Sequence, residues 1–412
     1  MATEALSIPE LPLSAVEQWR ASGADLVELL ARARREVGGI AAVPLGGERA
    51  TVLVTDPAGV QHVLGRHPDR YVKRSHRARM LVGDGVLSAG GDAWKRQRRL
   101  LQSQFTGTGM RRYEQRIAEA ARRTADRWAG YARTGETFDV GEEMRRFALD
   151  TVWRALTGHE MDDATDRELR SVERVVAAMP TLPTNAADAR DAVAEDLARI
   201  DAIAQAAIDA ARTTHDSPGV LHDLLEASRQ HPEYTDRLIR DELVTLIVAG
   251  HETTATTLTW LYLLLDRHPE ARTAAPQALV SETLRLYPSA WMLPRHATED
   301  DVIAGHHIAA GTDVLVCPYL THRDPALWPD PERFDPTRFT ATGTRPAHLA
   351  AYYPFGLGAR ACLGTQFAVR ETTALLELLL PAYSPTFLST PTGAAYSITV
   401  RPDGPTPAVL LT

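Results

Sequence analysis

The sequence is poor in cysteine and has no long apolar run. Cys317 and Cys362 are the only cysteines in 412 residues, too few for a disulfide framework, and their spacing matches no zinc motif. The longest apolar stretch, LTWLYLLLD at 258–266, is shorter than the roughly 20 residues that span a bilayer. The N-terminus lacks the basic region and apolar core of a signal peptide. These absences predict a soluble, cytoplasmic protein that has no membrane contact.

An excess of positive charge is absent too. The formal net charge is −8 at pH 7, whereas nucleic-acid-binding proteins are usually basic, so we expect no nucleic-acid partner. Hydrophobic residues make up 44% and charged residues 24% of the chain, which is ordinary for a soluble enzyme. A chain of this length can build a core that is large enough to enclose a cofactor.

Hydrophobic periodicity predicts a mainly α protein with a small β region. From about residue 91 to 267, apolar residues recur at steps of three and four, as they do in helices. Thr51–Thr55 is β-branched and favours a strand, and short strands are also predicted after Pro381. Residues 295–318 alternate apolar runs with glycines, as a β-hairpin does. Because no long linker or repeat interrupts the pattern, we interpret residues 1–412 as one domain.

The most informative stretch is YPFGLGARACLG at 353–364, which places a cysteine in a glycine-rich turn before an apolar helical pattern. The glycines permit a tight loop and close approach of a flat ligand. A thiolate near a helix N-terminus has a lowered pKa, and an arginine in the loop offers a cation. Two interpretations stay open: a thiolate ligand of haem iron, or the inert buried thiol that a lone cysteine more often is. The loop candidates are Phe355, Gly356, Gly358, Arg360, Cys362 and Gly364.

A second candidate lies in IVAGHETTA at 247–255, inside a predicted long helix. Gly250 and the threonines are poor helix formers, so something other than local stability keeps them there. Thr253 can bond back to a carbonyl and open a groove on one helix face. Beside a haem, such a groove would hold dioxygen, and Thr253 and Glu252 would supply protons. Ordinary threonine capping is the alternative, and His251 is interpreted as a solvated or core histidine.

Two further pairs have helical spacing. Glu282 and Arg285 lie three residues apart and can form an ion pair, which the proline-rich loop after them could extend with another arginine. Trp94 and Arg98 lie four residues apart, and an indole N–H with a guanidinium would suit the carboxylates of a haem. Each pair also has a plain alternative, a solvated helix face for the first and a basic surface stripe beside a packed tryptophan for the second.

In their order along the chain, WxxxR, AGxET, ExxR and FxxGxRxCxG together resemble the cytochrome P450 haem-thiolate monooxygenases. The resemblance implies the P450 fold, with haem b buried between the long central helix and the helix after the cysteine loop, and dioxygen as cosubstrate. It implies that Cys362 binds the iron and that Thr253 and Glu252 are catalytic residues. The other haem contacts that it implies are Trp94, Arg98, Ala249, Gly250, Arg295, Phe355, Gly358, Arg360 and Gly364.

The resemblance also implies a structural network of Glu282, Arg285 and a third residue. Two candidates exist, because PERF at 331–334 is followed by PTRF at 336–339. Spacing from the WPDP segment at 328–331 favours Arg338 over Arg333. The segment before Glu282, TAAPQALVS at 273–281, is shorter than the family's usual connection, and we expect Pro276 to break the chain there.

The resemblance implies insertion of one oxygen atom from dioxygen into a bulky, largely apolar small molecule. The Arg- and Ala-rich composition is typical of actinobacterial proteins and favours a tailoring step in antibiotic or other natural-product biosynthesis. Oxidative ring closure, coupling or ether-bridge formation by the same oxidant stays open, and a non-enzymatic haem sensor is a remote alternative. The implied substrate contacts are Met80, Leu81, Val82, Leu246, Trp291, Met292 and Leu293.

No part of the chain has the pattern of a flavin or dinucleotide module, so we expect no fused reductase. Electrons would then come from a separate ferredoxin and a ferredoxin reductase. The run KRQRR at 95–99, with Arg111 and Arg112, could form a basic docking face, and solvated helix charges explain the same run equally well. We expect a monomer.

Overall fold

Helices make up most of the chain that the computed structural model describes, as the periodicity predicts. The described residues are 6–46, 49–74, 76–179, 186–213, 219–343 and 346–410. The helices are α1 (Leu13–Ser22), α2 (Leu26–Glu36), α3 (Pro57–Val60), α4 (His76–Val82), α5 (Gly91–Gln102), α6 (Gly107–Thr134), α7 (Val140–Thr157), α8 (Asp163–Ala178), α9 (Ala186–Asp191), α10 (Ala194–Thr213), α11 (Val220–Gln230), α12 (Asp236–Arg267), α13 (Pro276–Leu286), α14 (Pro318–Thr321) and α15 (Thr365–Ala382).

The strands are short. They are β1 (Ile40–Val43), β2 (Thr51–Val54), β3 (Tyr71–Val72), β4 (Phe138–Asp139), β5 (Leu293–Ala297), β6 (Asp301–Ile303), β7 (His306–Ile308), β8 (Asp313–Val316), β9 (Pro385–Phe387), β10 (Ala394–Tyr396), β11 (Val400–Pro402) and β12 (Pro407–Leu410). The predicted strand at Thr51–Thr55, the hairpin within 295–318 and the strands after Pro381 are confirmed.

Contacts along the chain define two compact units. The first comprises residues 1–74 and 281–362, and the second comprises residues 75–280 and 363–412. The first unit holds the largest sheet, of strand order β1-β2-β8-β5-β3, and the hairpin β6-β7. The second unit holds most of the helices, together with the sheets β4-β12-β9 and β10-β11.

In the first unit, the sheet is anchored by β-branched residues. Val52, Val54, Val314 and Val316 lie on one face of the sheet and are almost completely buried. Leu53 on the opposite face is also 0% exposed, so side chains from both faces enter the core. At the other end of the sheet, β3 pairs antiparallel with β5, and Val72 faces His296. The same register makes Lys73 and Arg295 the next opposed pair.

In the second unit, α12 packs along α7. Leu243, Leu258 and Leu261 of α12 are at most 1% exposed, and α7 is buried over most of its length. The two helices approach closely at Gly250, where a Cβ atom would lie only 2.8 Å from Val152 Cγ2. Glycine at this position therefore serves helix packing, despite its low helix propensity.

The short connection before α13 differs from the expectation that Pro276 breaks the chain. A 3₁₀ turn covers Pro269–Thr273, and α13 begins at Pro276 itself. Proline is favoured in the first turn of a helix, because its missing N–H has no intrahelical partner there and its φ angle is already helical. Pro276 therefore starts the helix that carries Glu282.

The pair on α13 is the most deeply buried ion pair of the first unit. The side chains of Glu282 and Arg285 are both 0% exposed. Arg285 Nε and Nη2 each donate to a Glu282 carboxylate oxygen at 2.8 Å. The guanidinium also lies 5.3 Å from the ring centroid of the buried Trp328. Its N–H groups further donate to the carbonyl oxygens of His322, Pro331 and Arg333.

The proline-rich loop completes this network with Arg338. Arg338 Nε lies 3.6 Å from Glu282 Oε1, and the Asp335 N–H donates to the same oxygen at 2.9 Å. Arg333 contributes its carbonyl oxygen to Arg285, while its side chain is exposed. The two neighbouring arginines therefore interact with the ion pair in different ways, one through the side chain and one through the backbone.

His322 connects this network to the start of the cysteine loop. Burial, together with the charges of Arg285 and Arg323, lowers the pKa of His322 to about 3, so the ring is neutral. Its Nε2 accepts a hydrogen bond from the Tyr353 N–H at 2.9 Å. Tyr352 is held as well, because its hydroxyl donates to the Ser281 carbonyl at 2.9 Å. The buried ion pair and the loop thus share one set of hydrogen bonds.

We expect Arg338→Ala to lower the free energy of unfolding by about 3 kcal/mol, because it leaves the buried Glu282 carboxylate with one cation fewer. Arg333→Ala is the matched control and should change it by less than about 0.5 kcal/mol, because the carbonyl that Arg285 uses remains. Urea unfolding and soluble yield measure both effects. The opposite ranking of the two variants would contradict this assignment.

Candidate active site

The cysteine loop depends on two glycines with positive φ angles. Gly356 and Gly358 have φ values of 72° and 70°, a region that favours glycine. A Cβ atom on Gly358 would lie 2.2 Å from the Leu64 carbonyl oxygen, so this turn fits only without a side chain. The Cys362 N–H donates to the Phe355 carbonyl at 2.7 Å, and this bond closes the loop.

Closing the loop in this way leaves Cys362 accessible. Cys362 is exposed, whereas Cys317 is fully buried. Burial raises the pKa of Cys317 to about 12, and its thiol donates to the Trp291 carbonyl at 3.3 Å. The two cysteines therefore separate into one structural thiol and one that a ligand can reach. Gly364 and the start of α15 at Thr365 follow in the second unit.

Three cationic side chains of the first unit influence one another electrostatically. Burial and the neighbouring charge of Arg360 lower the pKa of Arg295 to about 10. Burial, Arg295 and Arg360 together lower the pKa of Lys73 to about 7. Like charges this close are unfavourable by themselves, and a carboxylate-bearing ligand would stabilise all three. The donor set therefore fits a dianionic group such as a haem with two propionates.

Sequence reasoning missed Lys73. It follows β3 and is one of only two lysines in the chain, Lys95 being the other. The pairing of β3 with β5 brings it beside Arg295, although the paired residues lie more than 200 positions apart in the sequence. A lysine at the end of a two-residue strand has no local signal of its own.

Trp94 and Arg98 belong to the second unit. Both are partly buried, and they share one face of α5, whereas Lys95 and Arg96 between them are exposed. Four-residue spacing on a helix accounts for the shared face. An indole N–H and a guanidinium are the donor types that bind carboxylates.

The central helix α12 has an accessible strip in an otherwise buried surface. Residues 239–247 and 254–265 are buried, whereas Ala249 is exposed, and Gly250, Glu252 and Thr253 are partly exposed. Thr253 Oγ1 donates to the Ala249 carbonyl at 3.0 Å, as expected for threonine in a helix. The α-helix continues through this region without a break. Small residues on the strip leave room for a ligand against the helix backbone.

The acid and the histidine of this strip have different partners. Glu252 Oε1 accepts a hydrogen bond from Thr399 Oγ1 at 2.7 Å, a contact that the sequence did not indicate. His251 is 2% exposed, and its Nδ1 lies 2.7 Å from the Ile247 carbonyl. His251 is therefore a core histidine, in agreement with its interpretation from the sequence.

A buried acid, Glu371, lies next to the strip and was also missed. Glu371 of α15 is 0% exposed, and Thr254 Oγ1 donates to its Oε1 at 2.7 Å. Burial raises the pKa of Glu371 well above its usual range, against the Thr254 hydrogen bond, which lowers it. The hydrogen bond from Thr254 joins α12 to α15.

The predicted substrate contacts differ in accessibility. Leu81, Val82, Leu246 and Trp291 are buried, at 0%, 1%, 8% and 3% exposure. The other three are partly exposed. They are Met80 in the second unit and Met292 and Leu293 in the first.

Within the described ranges, no group of three or more His, Cys, Asp and Glu side chains could hold a metal ion. Of the helices described above, none is long and apolar enough to cross a membrane.

Comparison with known proteins identifies the family. The model of the family "Cytochrome P450" matches residues 8–276 and 276–392. Cyclooctatin synthase from Streptomyces melanosporofaciens is 30% identical over 81% of this chain and 80% of its own length. Pentalenene oxygenase from Streptomyces avermitilis is 29% identical over 79% of this chain and 76% of its own length.

Solved structures agree with this result. The haem domain of cytochrome P450DA has a TM-score of 0.86 and 25% identity, over 99% of this chain and 98% of that one. A 6-coordinated cytochrome P450 from Thermus thermophilus has a TM-score of 0.74 and 28% identity, over 98% of this chain and 100% of that one. The chain therefore belongs to the cytochrome P450 family, and it is a monooxygenase that uses haem b and dioxygen.

Proposed function

We propose that this enzyme performs a tailoring step in natural-product biosynthesis, adding one oxygen atom to a bulky, largely apolar small molecule. The proposal draws on relatives whose names state the compounds oxidised. One is cyclooctat-9-en-7-ol 5-monooxygenase from Streptomyces melanosporofaciens, 29% identical over 83% of this chain and 81% of its own length, and another is pentalenene oxygenase. An unsaturated hydrocarbon or its alcohol is therefore the proposed substrate class.

The observation that carries the mechanism is the accessible thiol of Cys362 in the same unit as Lys73, Arg295 and Arg360. We assign Cys362 as the iron ligand and the cations as partners of the haem carboxylates. When bound through a thiolate, haem activates dioxygen so that one oxygen atom enters the substrate. The bond from the Cys362 N–H to Phe355 holds the loop in shape, and the Phe355 ring limits access of water to the sulfur.

Charge neutralisation explains why the cations are kept together. A carboxylate beside Lys73 and Arg295 raises the pKa of both groups back toward their ordinary values. Holding these cations close together is unfavourable, and only the anionic group offsets that energy. In the second unit, Trp94 and Arg98 are assigned to haem carboxylates, on the donor chemistry of their side chains.

On α12, Thr253 and Glu252 are assigned to proton delivery. Thr253 Oγ1 reaches the accessible strip and holds its own proton in the bond to Ala249. Glu252 is partly exposed and can exchange protons with solvent, while Thr399 fixes one of its oxygens. Ala249 presents little side-chain volume, which keeps the strip open, whereas Gly250 allows α7 to pack closely.

The exposed members of the contact set are assigned to the substrate. Met80, Met292 and Leu293 offer flexible apolar contacts. Leu81, Val82, Leu246 and Trp291 are buried and are assigned a supporting role in packing. These side chains favour an apolar ligand, because the indole N–H of Trp291 is the one strong hydrogen-bond donor among them.

A separate ferredoxin and its reductase are assigned as the source of electrons. Arg99 and Arg111 are exposed on α5 and α6. Lys95, Arg96 and Arg112 lie near acids at 3.2, 3.7 and 2.8 Å respectively, so part of the basic run is neutralised within the chain. Arg99 and Arg111 are the proposed contacts for an acidic partner.

We expect Cys362→Ser to abolish the carbon-monoxide difference band of thiolate-ligated haem, because a serine hydroxyl does not supply the thiolate. Cys317→Ser is the matched control, since a hydroxyl can still donate to the Trp291 carbonyl, and it should keep the band. Difference spectra of the reduced proteins measure both. Retention of the band in Cys362→Ser would remove the assignment.

We expect Thr253→Ala to lower the product formed per electron pair consumed severalfold, because the strip loses its hydroxyl. Thr259→Ala is the control: Thr259 makes the same bond to the carbonyl four residues earlier, at 2.8 Å, and is buried. NADPH consumption and product are measured with a surrogate ferredoxin and reductase. Equal coupling in both variants would argue against proton delivery by Thr253.

The substrate class is tested by titration and turnover with pentalenene and cyclooctat-9-en-7-ol. We expect a haem spectral shift on binding and a product that is heavier by one oxygen atom, because the apolar contacts admit such ligands. Mass spectrometry measures the product. A product that lacks two hydrogens would indicate ring closure or coupling instead, and a protein that reduces and binds carbon monoxide without any turnover would favour a sensor.

A further inference from the structure

Three consecutive residues near the start of α12 hold the segment 81–86 by its backbone. Arg240 Nη1 donates to the Leu81 carbonyl at 2.7 Å. The Asp84 N–H donates to Asp241 Oδ2, and the Val86 N–H donates to Glu242 Oε2, both at 2.9 Å. All these residues lie in the second unit. The segment joins α4, which carries Met80, to α5.

The segment fits against α12 without space for side chains at two positions. A Cβ atom on Gly83 would lie 2.0 Å from Asp241 Oδ2, and one on Gly85 would lie 2.2 Å from Thr245 Oγ1 and 2.7 Å from the Asp241 carbonyl oxygen. Gly83 also has a φ angle of 53°. By contrast, Gly90, just beyond the segment, has no such neighbour within 4 Å. Close contact is therefore confined to the part that faces α12.

Glu242 is the buried acid of this contact. Glu242 is 0% exposed. One carboxylate oxygen accepts from Val86, and the other, Oε1, is buried without a hydrogen-bond partner. Burial, together with the Asp241 carboxylate, raises the pKa of Glu242 to about 8 although the Val86 hydrogen bond lowers it. Glu242 is therefore mostly protonated at neutral pH.

Other charges around Glu242 are paired with one another. Asp241 is neutralised by Arg240 at 3.0 Å and by Arg237 at 3.5 Å. Arg240 also pairs with an acid of α10 at 2.6 Å. The pKa of Tyr234 is raised to about 12, first by burial and then by Glu242, so that group is neutral. Charged groups of other elements also face this region. They are Asp201 on α10, Arg79 and Asp84 beside α4, and the ion pair of Arg96 and Glu233, whose charged atoms lie 3.7 Å apart.

Ionisation of Glu242 changes the stability of the contact between α12 and the segment that includes Val86. The closed contact favours the acid form, because a buried carboxylate would have one oxygen without a donor and a second carboxylate beside it. An opened contact exposes Glu242 to water and restores its ordinary acidity. Between the ordinary pKa and the value of about 8 in the closed form, rising pH therefore favours opening. Above about pH 8, both forms are ionised and the effect levels off.

We propose that Glu242 is a positioning residue for residues 83–88, which follow α4 and include the Asp84 and Val86 contacts. While Glu242 carries its proton, these residues stay closed on α12, and loss of the proton releases them together with α4. The consequence for substrate rests on the proposed function, because Met80 of α4 is assigned there as a contact. The closure itself rests only on the hydrogen bonds, the fit of the two glycines and the burial of Glu242.

Hydrogen exchange of the haem-loaded enzyme without substrate tests this closure. Peptides covering 83–88 are followed by mass spectrometry between about pH 6 and pH 9 in the unmodified protein and in Glu242→Gln, which is neutral at every pH and keeps an oxygen for Val86. The chemical step of amide exchange depends on pH in the same way in both proteins. It therefore cancels in the ratio of the exchange rate of the unmodified protein to that of Glu242→Gln. We expect that ratio to rise with pH by up to about tenfold per pH unit until about pH 8, and then to level off.

Two glycine variants make the test independent of the folding of Glu242→Gln. Gly85→Ala should speed exchange of 83–88 at every pH, because its Cβ displaces the segment, whereas Gly90→Ala should leave it unchanged. In the unmodified protein alone, the exchange of 83–88 relative to that of 254–265 should rise over the same pH range. A rate ratio that does not depend on pH would overturn the proposal, as would equal exchange in Gly85→Ala and Gly90→Ala.

This experiment separates the closure from the function. Exchange is measured without turnover, so a wrong substrate class leaves its outcome unaffected. If the closure is correct, the affinity for an apolar ligand, read from the haem spectral shift, should fall between about pH 6 and pH 8 in the unmodified protein and stay constant in Glu242→Gln. An affinity with the same pH dependence in both proteins would overturn the link to substrate positioning.

Discussion

The arrangement of the first unit depends on the burial of one ion pair. Glu282 and Arg285 are removed entirely from water, and such a pair is tolerated only when its remaining N–H groups and lone pairs have partners. Backbone carbonyls of the proline-rich loop, the Asp335 N–H and Arg338 provide them. That requirement gives an irregular loop a definite path. Through His322 and Tyr353, the same path determines where the cysteine loop begins.

The candidate site combines features that a stable fold alone would avoid. Lys73, Arg295 and Arg360 hold like charges close to one another, an exposed thiol lies in a glycine turn, and an accessible strip interrupts the buried surface of α12. On the proposed function, the cations and the thiol become favourable once an anionic, flat, thiolate-binding ligand is present. Glu242 is a further feature that a stable fold alone would avoid, on the side proposed for the substrate. Its buried acid group makes the backbone contact with Val86 depend on a proton.

Several site residues could be predicted because their signals are local or have a distinctive spacing. Cys362 stands in a run of glycines, Glu282 and Arg285 lie one helical turn apart, and the poor helix formers at 250–254 lie in a strong helical pattern. Lys73, Thr399 and Glu371 had no such signal. Their importance comes from partners more than 100 residues away, at Arg295, Glu252 and Thr254. Pro276 was misinterpreted, because proline disrupts a helix interior but is favoured in the first turn.

The sequence by itself determined the mainly α class, the family and the cysteine that we propose as the cofactor ligand, because helical periodicity, glycine turns and short motifs are encoded within a few neighbouring residues. The tertiary structure decided which of two arginines reaches Glu282 with its side chain, which cysteine is accessible, and which acids are buried. Those properties depend on solvent exposure and on the distances between charges. Both are set only when segments that are distant in the chain pack together.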